Sequence, residues 1–195
     1  MNARQRAAHG HGQDSALVQT GPVLDSRDRF SVPHTAMPSP FDAVLEAPFG
    51  KLGVRVAEGA IWEIVYLPDS TRTIDSADPL IHRLARQLDA YYAHPDAAFD
   101  VPLVHTGTGF QHRVWDAICA VPRGAVTTYG AIARQIGSAP RAVGQACGAN
   151  WYPILIPCHR VVSTAGIGGF SNHAEDGFHL GVKRWLLRHE GAMLT

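Results

Sequence analysis

The sequence Pro157-Cys158-His159-Arg160 sets a potential nucleophile beside a potential base. A cysteine attacks as its thiolate, so a reactive Cys158 needs a group to take its proton, and an imidazole titrates in a suitable range. Successive side chains diverge, which predicts proton exchange between Cys158 and His159 through a bridging water rather than directly. The apolar run Ile154-Leu155-Ile156, closed by Pro157, predicts a short buried strand with the cysteine leaving its end. A small buried cysteine beside an unrelated histidine is the plainer reading of these residues alone, because free cysteines often serve as packing.

The flanking pattern predicts the elements that would hold such a pair. Strand-like runs over 41–47, 52–57 and 60–67 are separated by Pro48-Phe49-Gly50 and Glu58-Gly59, the signature of a small antiparallel meander. Leu80, Ile81, Leu84, Leu88, Tyr91 and Tyr92 then share one helical stripe, preceded by Asp78-Pro79 as cap and first-turn proline. Phe110, Val114, Ala117, Ile118 and Val121 form the apolar face of a second helix, ended by Pro122-Arg123-Gly124. Thr128 caps a short helix that Gly137 ends, and Pro140 starts another running to about Gly148; two short helices so joined fit a helix-turn-helix. A last helix spans about 180–189 and stops at Gly191. The fold class is therefore α+β, with a small antiparallel sheet and helix over 41–104 and a mainly helical second domain over 105–195. Residues 1–40, with scattered charges and prolines, read as a mostly disordered tail whose His9 and His11 are solvated rather than metal ligands.

Composition excludes several classes. No apolar stretch approaches membrane-spanning length, and the charged start lacks the hydrophobic run of a secretory signal. Cys119, Cys147 and Cys158 make an odd count without C-x-x-C spacing, which argues for free thiols in a reducing, cytoplasmic setting and against structural zinc. The net charge of zero conceals a polarity: residues 1–105 hold nine Lys/Arg against thirteen Asp/Glu, and residues 106–195 hold eight against four. A basic second half is what a phosphate-facing domain needs, although chance variation in a neutral protein gives the same numbers.

In order along the chain, Gly107-Thr108-Gly109-Phe110-Gln111, Val114-Trp115, Val121-Pro122-Arg123-Gly124, Thr127-Thr128-Tyr129-Gly130, the stretch from Arg141 to Asn150, the stretch from Pro153 to Val162 and that from Lys183 to Gly191 resemble the O6-alkylguanine-DNA alkyltransferases. These are DNA-repair proteins that take the alkyl group onto themselves. The resemblance is specific over about 105–191, looser over about 41–104 and absent from 1–38. It implies a ribonuclease H-like first domain and a second domain of winged-helix, helix-turn-helix type, with Cys158 as acceptor, His159 as its base and Glu190 orienting the imidazole. Asn150 would brace the cysteine segment. Tyr129 would turn the target phosphate and donate to the departing guanine, and Arg141 would enter the stack in place of the flipped base. Thr128, Ala142, Gly144 and Gln145 would complete a minor-groove DNA surface with little sequence preference, the small residues permitting close approach. Val161, Phe170, Ser171, Cys147 and Trp151 would line the base pocket. The implied partner is double-stranded DNA carrying O6-alkylguanine or O4-methylthymine, the protein is expected to be a monomer at the nucleoid, and no cofactor or metal is implied.

The chain departs from that pattern in places. Tyr129 and Arg141 stand two residues closer than the family spacing, Trp151 replaces a proline, Phe170 stands where many members have tyrosine, and the locally acidic stretch Asn172–His179 makes the loop about six residues longer than usual. These bear on substrate range. Two other readings are open: a non-catalytic relative that binds and flags alkylated DNA, which the presence of Cys158 disfavours, and a cysteine hydrolase, for which no oxyanion-hole motif is visible.

Overall fold

The computed structural model describes residues 40–173 and 175–192, so the tail read over 1–40, with its histidines, lies outside the described residues apart from Pro40. Strands β1 (Ala43–Ala47), β2 (Gly50–Ala57) and β3 (Ala60–Leu67) form an antiparallel sheet in the order β1-β2-β3. Ala43 pairs with Val54 and Leu52 with Tyr66, and the register shifts at Arg55/Val56. The alternation of β3 puts Ile64 and Tyr66 inside, and the extra residue at Trp62, where the register shifts, returns Ile61 to the buried side; all three share one apolar cluster with Ile81, Leu84, Leu88 and Tyr91 of helix α1 (Pro79–Ala93). Each aliphatic side chain so buried contributes about 1.5–3 kcal/mol. Asp78 caps α1 by accepting from the Leu80 amide at 2.7 Å.

The outer edge of β3 is stitched to the rest of the chain. Ile61 N donates to Pro102 O at 2.8 Å, and Ile64 N donates to Trp151 O at 2.8 Å. This second bond fixes the segment just before Cys158 to the sheet. One continuous apolar cluster runs from Ala43 to Leu186 and includes Cys158.

Helix α2 (Gly109–Cys119) begins with a capping box: Thr108 accepts from the Gln111 amide and Gln111 accepts from the Thr108 amide. Its Trp115 indole donates to Ala146 O at 2.9 Å, tying α2 to α4 (Pro140–Gly148). Before α4 comes α3 (Tyr129–Ile136), capped by Thr128 and closed by Gly137 at φ +67°. Two-residue strands β4 (Thr127–Thr128) and β5 (Val161–Val162) pair in parallel, which brings the start of α3 beside the end of the cysteine segment. Helix α5 (Phe178–His189) packs Leu180, Val182, Lys183, Leu186 and Leu187 inward. The mixed α/β architecture, with its small three-stranded sheet, is the coarse class expected from the sequence.

The strand expected at Ile154–Ile156 is not there. Pro153 and Ile156 close a tight turn, Ile156 N donates to Tyr152 O at 2.8 Å, and Ile154 takes a left-handed φ of +74°. The β-branched residues are apolar because they are buried, and the turn is imposed by Asn150. Its side chain accepts from Tyr152 N at 2.9 Å and donates to Ile156 O at 2.9 Å. Cys158 therefore opens a short 3₁₀ turn, Cys158–Arg160, instead of leaving a strand.

Candidate active site

Cys158 is 7% exposed and lines a cavity of about 480 Å³. Asn150, already clamped to the turn, donates its remaining amide hydrogen to Cys158 Sγ at 3.2 Å. Cys147, Asn150, Trp151, Phe170 and Ser171 line the same cavity, along with Ile64 and Tyr66 from the sheet. A smaller recess of about 230 Å³ joins Tyr129 and Gly144 to Cys147, Cys158, Phe170 and Ser171. The cysteine thus sits where α4, the 3₁₀ turn and the 169–173 loop converge.

Behind the thiol lies a buried charged cluster. His159 Nε2 is 3.0 Å from Glu190 Oε1, though the approach is off the N–H axis. Arg160 grips the same carboxylate with two bonds, Nε to Oε2 at 2.8 Å and Nη2 to Oε1 at 2.9 Å, and Tyr91 Oη donates to Oε1 at 2.8 Å. Burial opposes the charge on Glu190, but His159 and Arg160 outweigh it and hold the carboxyl well below the usual carboxylate range. Burial pushes the His159 imidazole down despite Glu190, so it rests neutral at neutral pH. Its Nδ1 is buried and has no partner among the described residues. The neighbouring Cys147 thiol, then burial, push the Cys158 thiol up, while the Asn150 amide pulls it down. The resting site is therefore a protonated thiol and a neutral imidazole against a charged Arg160–Glu190 pair.

Lys183 is fully buried on α5 and donates to Val161 O at 2.7 Å, Ile167 O at 2.7 Å and Gly169 O at 3.0 Å. Burial lowers its ammonium to about 8. It pins the loop after the cysteine turn, and Tyr129 Oη donates to the same Gly169 carbonyl at 3.1 Å. Lys51 is the other buried lysine, bonded to Glu46 at 2.6 Å and Thr73 at 3.2 Å.

Of the residues singled out in the sequence, Cys158, Asn150, Cys147, Trp151, Phe170 and Ser171 converge on the cavity, Tyr129 on the adjoining recess, and His159 and Glu190 directly behind. Val161 reaches neither recess; it is fully buried and its carbonyl is taken by Lys183. Arg141 and Gln145 are exposed on α4, with Ala142 half-buried between them, and Gly144 has open space where a side chain would stand. The Arg141 side chain makes no hydrogen bond or ion pair among the described residues. Thr128 spends its hydroxyl on the α3 cap. Sequence reading missed Arg160, Lys183 and Tyr91 as parts of the cluster. Arg160 sits in an otherwise apolar run and Lys183 on a buried stripe, and charges so placed demand buried partners; Tyr91 carried no comparable signal.

This arrangement defines a protein with a buried cysteine on the wall of a cavity of about 480 Å³, beside a pair of short helices. The family model described as 6-O-methylguanine DNA methyltransferase, DNA binding domain, matches residues 109–192. A methylated-DNA–protein-cysteine methyltransferase of Methanosarcina barkeri is 35% identical over 155 residues, which is 75% of this chain and 94% of that protein. The corresponding protein of Mycobacterium tuberculosis is 50% identical over 82 residues, 41% of this chain and 50% of its own length. The crystal structure of the M. tuberculosis O6-methylguanine methyltransferase superposes with a TM-score of 0.63 at 33% identity, covering 76% of this chain and 90% of that one. A structure of the same M. tuberculosis protein in complex with DNA gives 0.61 at 36% identity, covering 76% and 91%. The chain belongs to the methylated-DNA–protein-cysteine methyltransferase family.

Proposed function

We propose that this protein repairs DNA by direct damage reversal, moving the alkyl group of O6-methylguanine, and of O4-methylthymine, irreversibly onto Cys158. The observation that carries this reading is the Asn150 amide on the Cys158 sulfur at the floor of a cavity, with His159 and Glu190 immediately behind. The thiol proton passes through a water to His159, whose unpartnered Nδ1 is free to take it, and Glu190 stabilises the imidazolium so formed. Asn150 donates to the developing thiolate. Sulfur then attacks the O6-alkyl carbon; the new S–C bond forms as the C–O bond breaks, and the electron pair leaves on the guanine. Tyr129 releases Gly169 and gives its proton to the base, so that a neutral guanine departs. The thioether product has no good leaving group, so each molecule acts once.

The target base lies inside a stacked duplex and must be extruded to reach the cavity. Exposed Arg141, in the first turn of α4, fills the vacancy it leaves, while Thr128, Ala142, Gly144 and Gln145 approach the minor groove. In this reading residues 41–104 form a ribonuclease H-like domain and 105–195 a winged-helix domain that acts on DNA as a monomer, without a cofactor. The test is incubation with an O6-methylguanine duplex followed by intact mass and peptide mapping. One added methyl on the Cys158 peptide is expected; no transfer, with tight binding to the damaged duplex, would favour the flag-and-recruit alternative.

A further inference from the structure

The turn Phe170–His173, at the start of the extension, is a built feature and not a loose loop. Ser171 and Asn172 have φ of +49° and +63°, and Phe170 and His173 exchange both backbone hydrogen bonds at 2.8 Å around them. These are the features of a two-residue hairpin turn with both central residues left-handed. Asn172 Nδ2 anchors the turn on Gly148 O at 3.0 Å, at the end of α4. A Cβ at position 148 would fall 1.7 Å from Asn172 Oδ1, so glycine is what allows the contact. The turn brings back His173, whose ring bonds Ser171 O at 2.7 Å and stacks on His179 with centroids 3.8 Å apart. His179 is held in turn by the first turn of α5 and by the edge of Phe178. Both imidazoles line the cavity that Cys158 lines.

We propose that the stacked His173–His179 pair sets the upper size of the alkyl group that can reach Cys158. This rests on the alkyl-transfer reading above. A methyl group adds little beyond the base itself, whereas a benzyl group adds a ring that must lie beside the sulfur, against the cavity wall. Two stacked rings fixed at both ends cannot move aside independently, since displacing His173 unravels the hairpin and displacing His179 disturbs the start of α5. The wall thus selects small alkyl lesions by steric exclusion, a kind of discrimination in which a single methylene is worth about 10–200-fold.

The test measures single-turnover transfer from duplexes carrying O6-methylguanine or O6-benzylguanine, for the full chain and for the His173→Ala/His179→Ala double variant. The expected result is methyl transfer within about threefold of the unaltered protein and a benzyl-to-methyl rate ratio raised at least about tenfold. His179→Phe, which keeps the ring and its stacking, should leave the ratio unchanged. An unchanged ratio in a double variant that still transfers methyl would overturn the proposal, as would loss of both activities in a variant whose melting temperature is preserved. Should the double variant fail to fold, His179→Ala alone is read by the same two rates and the same criterion. Failure of the unaltered protein to accept methyl at all would instead bring down the reading beneath it.

Discussion

Tyr91 on α1 donates its hydroxyl to Glu190 Oε1 at 2.8 Å, joining two residues 99 positions apart. His189 returns the contact by bonding Tyr91 O at 2.7 Å, and its ring lies edge-on to the Tyr91 ring. The first helix therefore completes the carboxylate cluster behind the thiol. Tyr91→Phe should lower stability by about 1.5–3 kcal/mol, the range for a hydrogen bond to a charged group, measured by urea denaturation. It should slow alkyl transfer only modestly, because Arg160 still holds the carboxylate.

Glu190→Gln should cost more, about 3–5 kcal/mol, because it leaves the Arg160 guanidinium buried without its counter-charge. The pH dependence follows from the same cluster. His159 and Glu190 both titrate below their ordinary values in the folded protein, so each stabilises the fold above its ordinary value and ceases to do so as pH falls through its folded one. Thermal stability should decline from about pH 6.5 downward and more steeply below about pH 4.3. A melting temperature that stays flat from pH 7 to pH 4 would refute this account of the cluster.

Replacing Cys158 by alanine should abolish transfer and leave binding to alkylated duplex largely intact, since Arg141 and Gln145, exposed on α4, line neither recess that Cys158 lines. Label appearing on Cys119 or Cys147 in the unaltered protein would reject Cys158 as the acceptor. Cys147→Ala should lower the pH at which Cys158 reacts with iodoacetamide, because the Cys147 thiol is the largest influence holding Cys158 protonated.

How far the site could be seen in the sequence depended on the kind of signal each residue carried. Asp78-Pro79, Thr128 and Gly137 gave helix boundaries through cap chemistry that is local to a few residues. Cys158 and His159 were visible because their types already imply chemistry, and Asn150 only through the family resemblance. The turn at 153–156 was misread because apolar, β-branched residues announce burial, whereas the backbone path is dictated by a side chain several residues away. Tyr91 could not have been found, because its partner is set only by the packing of α1 against α5. The imidazole wall was hidden for a related reason: His173 and His179 meet only once two left-handed residues reverse the chain.

Arg141 separates two modes of DNA contact. An arginine that only neutralises phosphate should weaken binding to every duplex alike and reduce the salt slope by about one. One that occupies the vacated stack should slow repair most where the base is firmly paired, since extrusion costs a few kcal/mol in a duplex and less in a single strand. Arg141→Ala is expected to lose far more activity on paired O6-methylguanine than on single-stranded substrate. Equal losses on the two would leave only the phosphate role.

The whole sequence contains two lysines, Lys51 and Lys183, and both are buried with their ammonium groups bonded. The native surface thus carries its positive charge on arginine alone and offers reagents no side-chain amine. Acylating probes, and enzymes that acetylate or conjugate lysine, can reach Lys183 Nζ only when the fold opens, and Lys51 Nζ freely only when its bonds to Glu46 and Thr73 release. Because Lys183 holds three carbonyls of the loop beside the thiol, its labelling rate would be a clock for opening of the site itself, and that of Lys51 a separate clock for the sheet.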